Sequence, residues 1–146
     1  MTAAIITLDS VRKGFRHRSV IRDAATVEVR AGEALAIRGA NGSGKSVLLR
    51  IMTGLLVPDG GTVQIDPRYL PGRRTFPDSF GVIIDRPGFI PTSSGRDNLL
   101  RLAAIRGIAT KGDVDDAMRT VGLDPSLGVP AARYSLGMRQ KLALAQ

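Results

Sequence analysis

Residues 39–46, G-A-N-G-S-G-K-S, constrain the fold of this chain more than any other segment. They fit the phosphate-binding loop pattern G-x-x-x-x-G-K-[ST] at every fixed position. Gly42 and Gly44 allow backbone conformations closed to other residues, so that successive N–H groups can point inward at phosphate oxygens. Lys45 supplies a positive charge for terminal phosphates, and the Ser46 hydroxyl can ligate Mg²⁺. The predicted nucleotide contacts are Gly39, Asn41, Gly42, Ser43, Gly44, Lys45 and Ser46.

The segments on either side of this loop have the pattern that a phosphate site requires. The short apolar run 34–37 (A-L-A-I) predicts a buried central strand before the loop. Residues 46–52 (S-V-L-L-R-I-M) predict a helix after it, with Gly54 as its C-cap. The N-terminus of that helix would add its partial positive charge to the anion site.

The remaining predicted elements are strands followed by helices. Strands are predicted at residues 5–8, 26–30, 62–65 and 80–84, and helices at 97–105, 113–121 and 136–145. Asp113 is expected to begin the second of these helices, and Ser135 stands where the N-cap of the third belongs. Residues 66–79 are rich in Pro, Gly and Arg, which indicates an exposed loop.

The composition limits which partners and which cellular compartment are expected for the chain. The net charge of +8 comes almost entirely from scattered arginines, and aromatic residues are only 4%, too few for a base-stacking platform. A nucleic-acid partner is therefore not expected. The chain has no cysteine, which excludes disulfides and thiolate metal sites. Because no apolar run approaches the length of a membrane span, we expect a soluble, cytoplasmic chain.

The phosphate loop alone fits kinases, GTPases and transport ATPases alike. Residues 134–141 (Y-S-L-G-M-R-Q-K) resemble the signature sequence, L-S-G-G-Q and its variants, of ATP-binding-cassette (ABC) ATPases. The form Y-S-L-G-M is similar to the variant in ATPase subunits of bacitracin- and lantibiotic-type exporters. Ser135 offers a hydroxyl and Gly137 a close backbone N–H at a helix start, which suits a second anion site. The resemblance implies that this element reaches the terminal phosphate held by the partner cassette of a head-to-tail dimer.

Other site residues are implied by the same resemblance, which runs over essentially the whole chain. Phe15 lies where the family places an aromatic that stacks on adenine. Asp85 lies where most members carry a glutamine that ligates Mg²⁺, and aspartate still supplies an oxygen. The implied catalytic residues are Lys45 and Asp85, and the implied metal ligands are Ser46 and Asp85. Val47, placed where a hydroxyl residue usually follows the Mg²⁺ ligand, is counted among the nucleotide contacts.

Two further segments bear on partners and activity. Residues 89–102 resemble the stretch that receives the coupling helix of a membrane-spanning subunit, with Phe89 and Ile90 either as its apolar contacts or packed inside. In the family, a strand ending in Asp-Glu follows the signature helix, and its Glu is the general base. This sequence has no such segment. We therefore expect a partial cassette that hydrolyses ATP slowly or not at all on its own.

These observations predict an α/β chain: a P-loop NTPase core with an antiparallel β subdomain and a helical signature subdomain, the C-terminal part of the core missing. The predicted divisions are β-rich segments at 1–38 and 60–84, the loop and helix at 39–57, and the helical subdomain at 89–146. The predicted function is the ATP-binding subunit of an ABC transporter, in the exporter branch. It would bind ATP and Mg²⁺, pair with a second cassette, and lie on the inner face of the membrane through a membrane-spanning subunit. The alternatives are a truncated, non-hydrolysing nucleotide-binding module and a soluble cassette acting on DNA or ribosomes; the signature variant and Asp85 favour export over the latter.

Overall fold

The computed structural model describes residues 3–16, 18–70, 77, 79–84, 88–107 and 109–146. The chain divides into two units, Met1–Ile84 and Asp85–Gln146. Among the described residues, the first unit holds a sheet and one α-helix, and the second holds three α-helices. Each unit has its own apolar core. In the described ranges, no helix is both long and apolar enough to span a bilayer.

The sheet of the first unit is antiparallel throughout. Its strands are β1 (Ala4–Phe15), β2 (Arg18–Arg30) and β3 (Gly60–Ile65), in the spatial order β2-β1-β3. Alternation along β1 buries Ile6 and Leu8 on one face. A register shift around Ser10, whose φ is +53°, returns Val11 to that same buried face. The predicted strands at 5–8, 26–30 and 62–65 are confirmed, and all three are longer than predicted.

Helix α1 (Lys45–Met52) follows the phosphate loop, as predicted. It buries Ile51 and Met52 against the apolar face of β1. The C-cap residue is Thr53 and not Gly54. Gly54 lies one position further on with φ +74°, the place where a left-handed glycine ends a helix.

Two predicted strands are wrong. Residues 34–37 and 80–84 pair with no strand among the described residues, and Leu35 and Ile83 are 49% and 47% exposed. Ile37 and Phe80 nevertheless pack against the core of the first unit. Apolar composition reports a preference for burial, whereas a strand also needs a hydrogen-bonding neighbour, which local sequence does not specify.

The expected loop at 66–79 is partly structured. A short 3₁₀ turn spans Pro67–Tyr69, and Asp66 caps it by accepting the N–H of Arg68. Pro77 is fully buried, and the rings of Tyr69 and Phe80 lie 5.4 Å apart. Residues 71–76 and 78 lie outside the described part of the chain. The sequence predicts an exposed segment because Pro and Gly mark turns, but turn residues can also cover a core.

The second unit contains α2 (Gly95–Arg106), α3 (Lys111–Thr120) and α4 (Leu136–Leu144). Each begins with a hydroxyl side chain that accepts the N–H of the third helical residue, and these N-caps are Ser94, Thr110 and Ser135. The N-cap at Ser135 is confirmed. Asp113 does not begin α3; it is the third residue of a capping box with Thr110.

The core of the second unit joins all three helices. Its buried members are Leu99, Val114, Met118, Leu123, Tyr134 and Leu142. Arg96 on α2 binds Asp115 on α3 through two hydrogen bonds of 2.6 and 3.1 Å. Together the two units confirm the predicted α/β class, with an antiparallel sheet and, in the described ranges, four α-helices.

Candidate phosphate-binding site

The loop before α1 takes the backbone conformation that its glycines allow. Gly42 and Gly44 have φ values of +78° and +95°. Gly44 is also the N-cap of α1, where no described side chain caps the helix and no acidic residue lies in the first turn. The N–H groups of that first turn have no partner within the helix, so they are available to an anion.

Lys45 folds back over the loop that precedes it. Its Nζ donates to the carbonyl oxygens of Gly39 and Ala40 at 2.9 and 2.8 Å. Lys45 is half-buried, and these two bonds hold its ammonium group beside the carbonyl oxygens of the loop. A phosphate oxygen placed there would compete with the two carbonyls for the three ammonium protons.

The sheet approaches the loop closely at Gly44. A Cβ at that position would lie 3.0 Å from Cγ1 of Val20 and 3.3 Å from its carbonyl oxygen. Glycine is therefore required there both by the left-handed φ and by the close contact with β2. The contact fixes the loop against the β1–β2 hairpin.

A cavity of about 370 Å³ opens beside the loop. It is lined by Val20, Ile21, Arg22, Ile37, Arg38, Ser43, Gly44, Lys45 and Leu48. Of these described lining residues, three are cationic and none is acidic, so the cavity favours an anionic ligand. Arg22 and Arg38 were missed by the sequence analysis because β2 and the segment before the loop meet through long-range packing.

Phe15 lies at the tip of the β1–β2 hairpin, where it is 46% exposed. It is not one of the residues lining the cavity. The Nζ of Lys13 lies 5.6 Å from the centroid of its ring. Gly14 pairs with Ser19, the neighbour of Val20, so the hairpin tip continues directly from the strand that touches the loop.

Asp59 supports the hairpin tip and was also missed. Its carboxylate binds Nζ of Lys13 at 2.6 Å and accepts the backbone N–H of Gly14 at 2.8 Å. The Lys13 hydrogen bond, followed by that of Gly14, lowers the pKa of Asp59 below its usual value. The sequence around Pro58 identifies a turn, but it does not reveal that this carboxylate reaches residues more than forty positions earlier.

The metal-ligand predictions are only partly covered by the described residues. Ser46 is the second residue of α1 and is half-buried. Asp85 lies outside the described residues, and in the remainder no cluster of three or more His, Cys, Asp or Glu side chains could hold a metal ion. The side chain of Val47 packs against the core of the first unit, so only its backbone can face a ligand.

The signature residues lie in the second unit, which is described by itself. Ser135 and Gly137 are exposed at the start of α4, and the Ser135 hydroxyl accepts the N–H of Met138 at 3.2 Å. The preceding Tyr134 is 2% exposed and accepts the N–H of Gly95 on its phenolic oxygen. This buried anchor fixes the position of the serine at the helix N-terminus.

The segment before α2 is braced by Asn98, a buried polar residue. Its Oδ1 accepts the N–H of Ile90 at 2.7 Å, and its Nδ2 donates to the carbonyls of Ile90 and Ser94 at 3.1 and 2.9 Å. Phe89 packs against the core, whereas Ile90 is 43% exposed. Of the two residues left open by the sequence, one is therefore inside and the other outside.

Comparisons with known proteins agree with these observations. A family model described as "ABC transporter" matches residues 23–146. The uncharacterized ABC transporter ATP-binding protein YybJ of Bacillus subtilis (strain 168) is 35% identical over 129 residues, which cover 88% of this chain and 59% of that protein. The bacitracin transport ATP-binding protein BcrA of Bacillus licheniformis is 31% identical over 147 residues, covering 100% and 47%.

Solved structures match over nearly the whole chain. A structure described as the ATP binding subunit of an ABC transporter has a TM-score of 0.72 at 25% identity, covering 97% of this chain and 60% of that one. A dimeric ATP-binding cassette bound to ADP and Pi has a TM-score of 0.76 at 18% identity, covering 96% and 67%, which shows the shared fold. The chain spans about half the length of YybJ and BcrA.

Proposed function

Because this chain belongs to the ABC transporter family of ATP-binding proteins, we propose that it forms the ATP-binding part of an ABC transporter ATPase subunit. The observation that carries the proposal is the loop before α1. Its left-handed glycines, uncapped helix N-terminus and folded-back Lys45 form a positively charged loop that suits a polyphosphate.

The triphosphate would bind along the loop. Backbone N–H groups of residues 42–47 would contact the phosphate oxygens, and Lys45 would exchange its two carbonyl partners for the terminal phosphates. Arg22 and Arg38 add positive charge to the same cavity. The exposed ring of Phe15 would stack on the adenine.

Mg²⁺ fits the donors that the chain offers. It prefers hard oxygen ligands and keeps one or two protein ligands beside the substrate phosphates. The Ser46 hydroxyl at the start of α1 would supply one ligand, and Asp85 the other. When bound, the metal neutralises charge on the phosphates during phosphoryl transfer.

Hydrolysis in the complete subunit would need the second unit as well. Ser135 and Gly137 lie exposed at a helix N-terminus, where a partner's terminal phosphate would be stabilised by the helix dipole. Two cassettes would therefore enclose each nucleotide, and the charge stabilisation would come from positioned N–H groups and Lys45.

The transport partner is proposed to be a membrane-spanning subunit. The side chain of Ile90 is exposed while Asn98 binds both its backbone N–H and its carbonyl, which suits it as an apolar contact for such a partner. The chain would then lie on the cytoplasmic face of the membrane. The resemblance of Y-S-L-G-M to the signature of bacitracin- and lantibiotic-type exporters supports export as the direction of transport.

ATP binding by the purified chain tests the proposal. Calorimetric titration with ATP and Mg²⁺ should show saturable binding to the wild type and at least tenfold weaker binding to Lys45→Ala, because the charge on the terminal phosphates is lost. Lys141→Ala is a matched control, since that lysine binds the Gly122 carbonyl in the second unit. Equal affinity of the wild type and Lys45→Ala would contradict the proposal.

A further inference from the structure

Asp59 completes the edge of the sheet where β1 extends past β3. The last paired residues of these strands are Arg12 and Gly60. The N–H of Asp59 donates to the carbonyl of Arg12 at 2.9 Å, and its carboxylate then accepts the N–H of Gly14 at 2.8 Å. The Asp59 carboxylate thus replaces the next backbone hydrogen bond between the strands, at a position beyond the end of β3.

The same carboxylate fixes the cation beside the Phe15 ring. Lys13 and Phe15 are two residues apart on β1, so they project from the same face of the strand. The Lys13 side chain is only 13% exposed, and its Nζ lies 2.6 Å from Asp59 Oδ1 and 5.6 Å from the Phe15 centroid. The ring is held beside a paired ammonium group while nearly half of its surface faces solvent.

We propose that Asp59 is a positioning residue for adenine recognition, which holds Lys13 and Gly14 so that the Phe15 ring keeps the orientation that stacks on the base. The inference rests on the proposed function, in which Phe15 contacts adenine. Asp59 does not touch the nucleotide; it acts through the hairpin tip. Its loss should therefore reduce the adenine-dependent part of binding and leave the phosphate-dependent part unchanged.

Titrations of the whole chain with ATP and with inorganic tripolyphosphate separate the adenine-dependent from the phosphate-dependent part of binding. Asp59→Asn should weaken ATP binding about three- to tenfold, since stacking on one aromatic contributes a comparable or larger factor, and should leave tripolyphosphate affinity within twofold. The matched control is Asp66→Asn, because Asp66 is another carboxylate paired with a cation and a backbone N–H, at the opposite end of β3. It should change neither affinity.

A double-mutant cycle distinguishes positioning from general support of the fold. Phe15→Ala should weaken ATP binding, and Asp59→Asn added to it should cause no further loss, because both changes remove the same contact. Lys13→Met provides a second variant that keeps the bond between Asp59 and Gly14, and it should also weaken ATP binding selectively. Circular dichroism confirms that each variant is folded before titration.

Each result has a distinct meaning. Selective, non-additive loss supports the inference. Unchanged ATP affinity in folded Asp59→Asn, equal loss of both ligands, or additive loss with Phe15→Ala would each overturn it while the phosphate loop assignment stands. Unchanged ATP affinity in Phe15→Ala would also overturn it, because the inference requires Phe15 to stack on the adenine. Failure of the wild type to bind ATP at all would instead overturn the proposed function.

Discussion

Gly95→Ala is expected to destabilise the second unit by displacing the tyrosine that precedes the signature residues. A Cβ at Gly95 would lie 2.5 Å from the phenolic oxygen of Tyr134 and 3.0 and 3.1 Å from its ring atoms Cε2 and Cζ. Tyr134 is buried and cannot move outward without opening the core around Leu99 and Leu142. It would also lose the hydrogen bond from the Gly95 N–H.

The magnitude follows from three effects. Overpacking a core costs roughly 1–3 kcal/mol, and a buried hydroxyl that loses its partner costs about 1 kcal/mol or more. Alanine in place of glycine in a helix recovers about 0.5–1 kcal/mol. The free energy of unfolding should therefore fall by about 2 kcal/mol, the overpacking being the dominant contribution.

Urea denaturation followed by circular dichroism measures this change. Gly112→Ala on α3 is the matched control, because a Cβ there would meet only Oγ1 of Thr110 at an ordinary 3.6 Å. The control should be neutral or stabilised by up to about 1 kcal/mol. If Gly95→Ala matched Gly112→Ala in stability, the close packing of Tyr134 against α2 would be refuted.

Three further predictions concern the loop, the signature helix and pH. Gly44→Ala should lower the unfolding free energy by about 1–2 kcal/mol, because its φ is +95° and Val20 lies in contact, and ATP titration should show weaker binding. Ser135→Ala should destabilise α4 by about 1 kcal/mol in urea denaturation through loss of its N-cap, and an unchanged midpoint would contradict the cap. The pKa of Asp115 is lowered, chiefly by the hydrogen bond from Arg96, so the unfolded chain binds more protons than the folded chain at acid pH. The contribution of this pair to the free energy of unfolding is therefore present above the ordinary pKa of 3.8 and is lost as the pH falls through the lower folded pKa. The difference in urea midpoint between the wild type and Asp115→Asn should therefore be full at pH 7 and shrink as the pH falls below about 3.8, and a difference that stays constant there would contradict the ion pair.

The parts of the fold set by local rules could be predicted from the sequence. Helix α4 begins at the predicted residue because Ser135 is its hydroxyl N-cap. Helix α1 begins within one residue of the predicted position because its apolar spacing starts directly after the glycines of the loop. The phosphate loop is equally local, since its conformation depends on glycines within the loop itself.

Long-range contacts could not be predicted in this way. The sequence marks Asp59 as a turn residue, but its contact with Lys13 depends on the register of β1 against β3. The runs at 34–37 and 80–84 are the opposite case: their apolar residues predict strands, but neither run pairs with a strand among the described residues. Arg22 likewise joins the cavity only through the packing of β2 on the loop.

A crystal structure of the chain with Mg²⁺ and a non-hydrolysable ATP analogue tests the central claim most directly. We expect Lys45 Nζ to leave the carbonyls of Gly39 and Ala40 and to bind a terminal phosphate oxygen, with the first-turn N–H groups of α1 facing the phosphates. A nucleotide bound away from residues 39–46, or a triphosphate in the loop with Lys45 still on its two carbonyls, would contradict this binding mode.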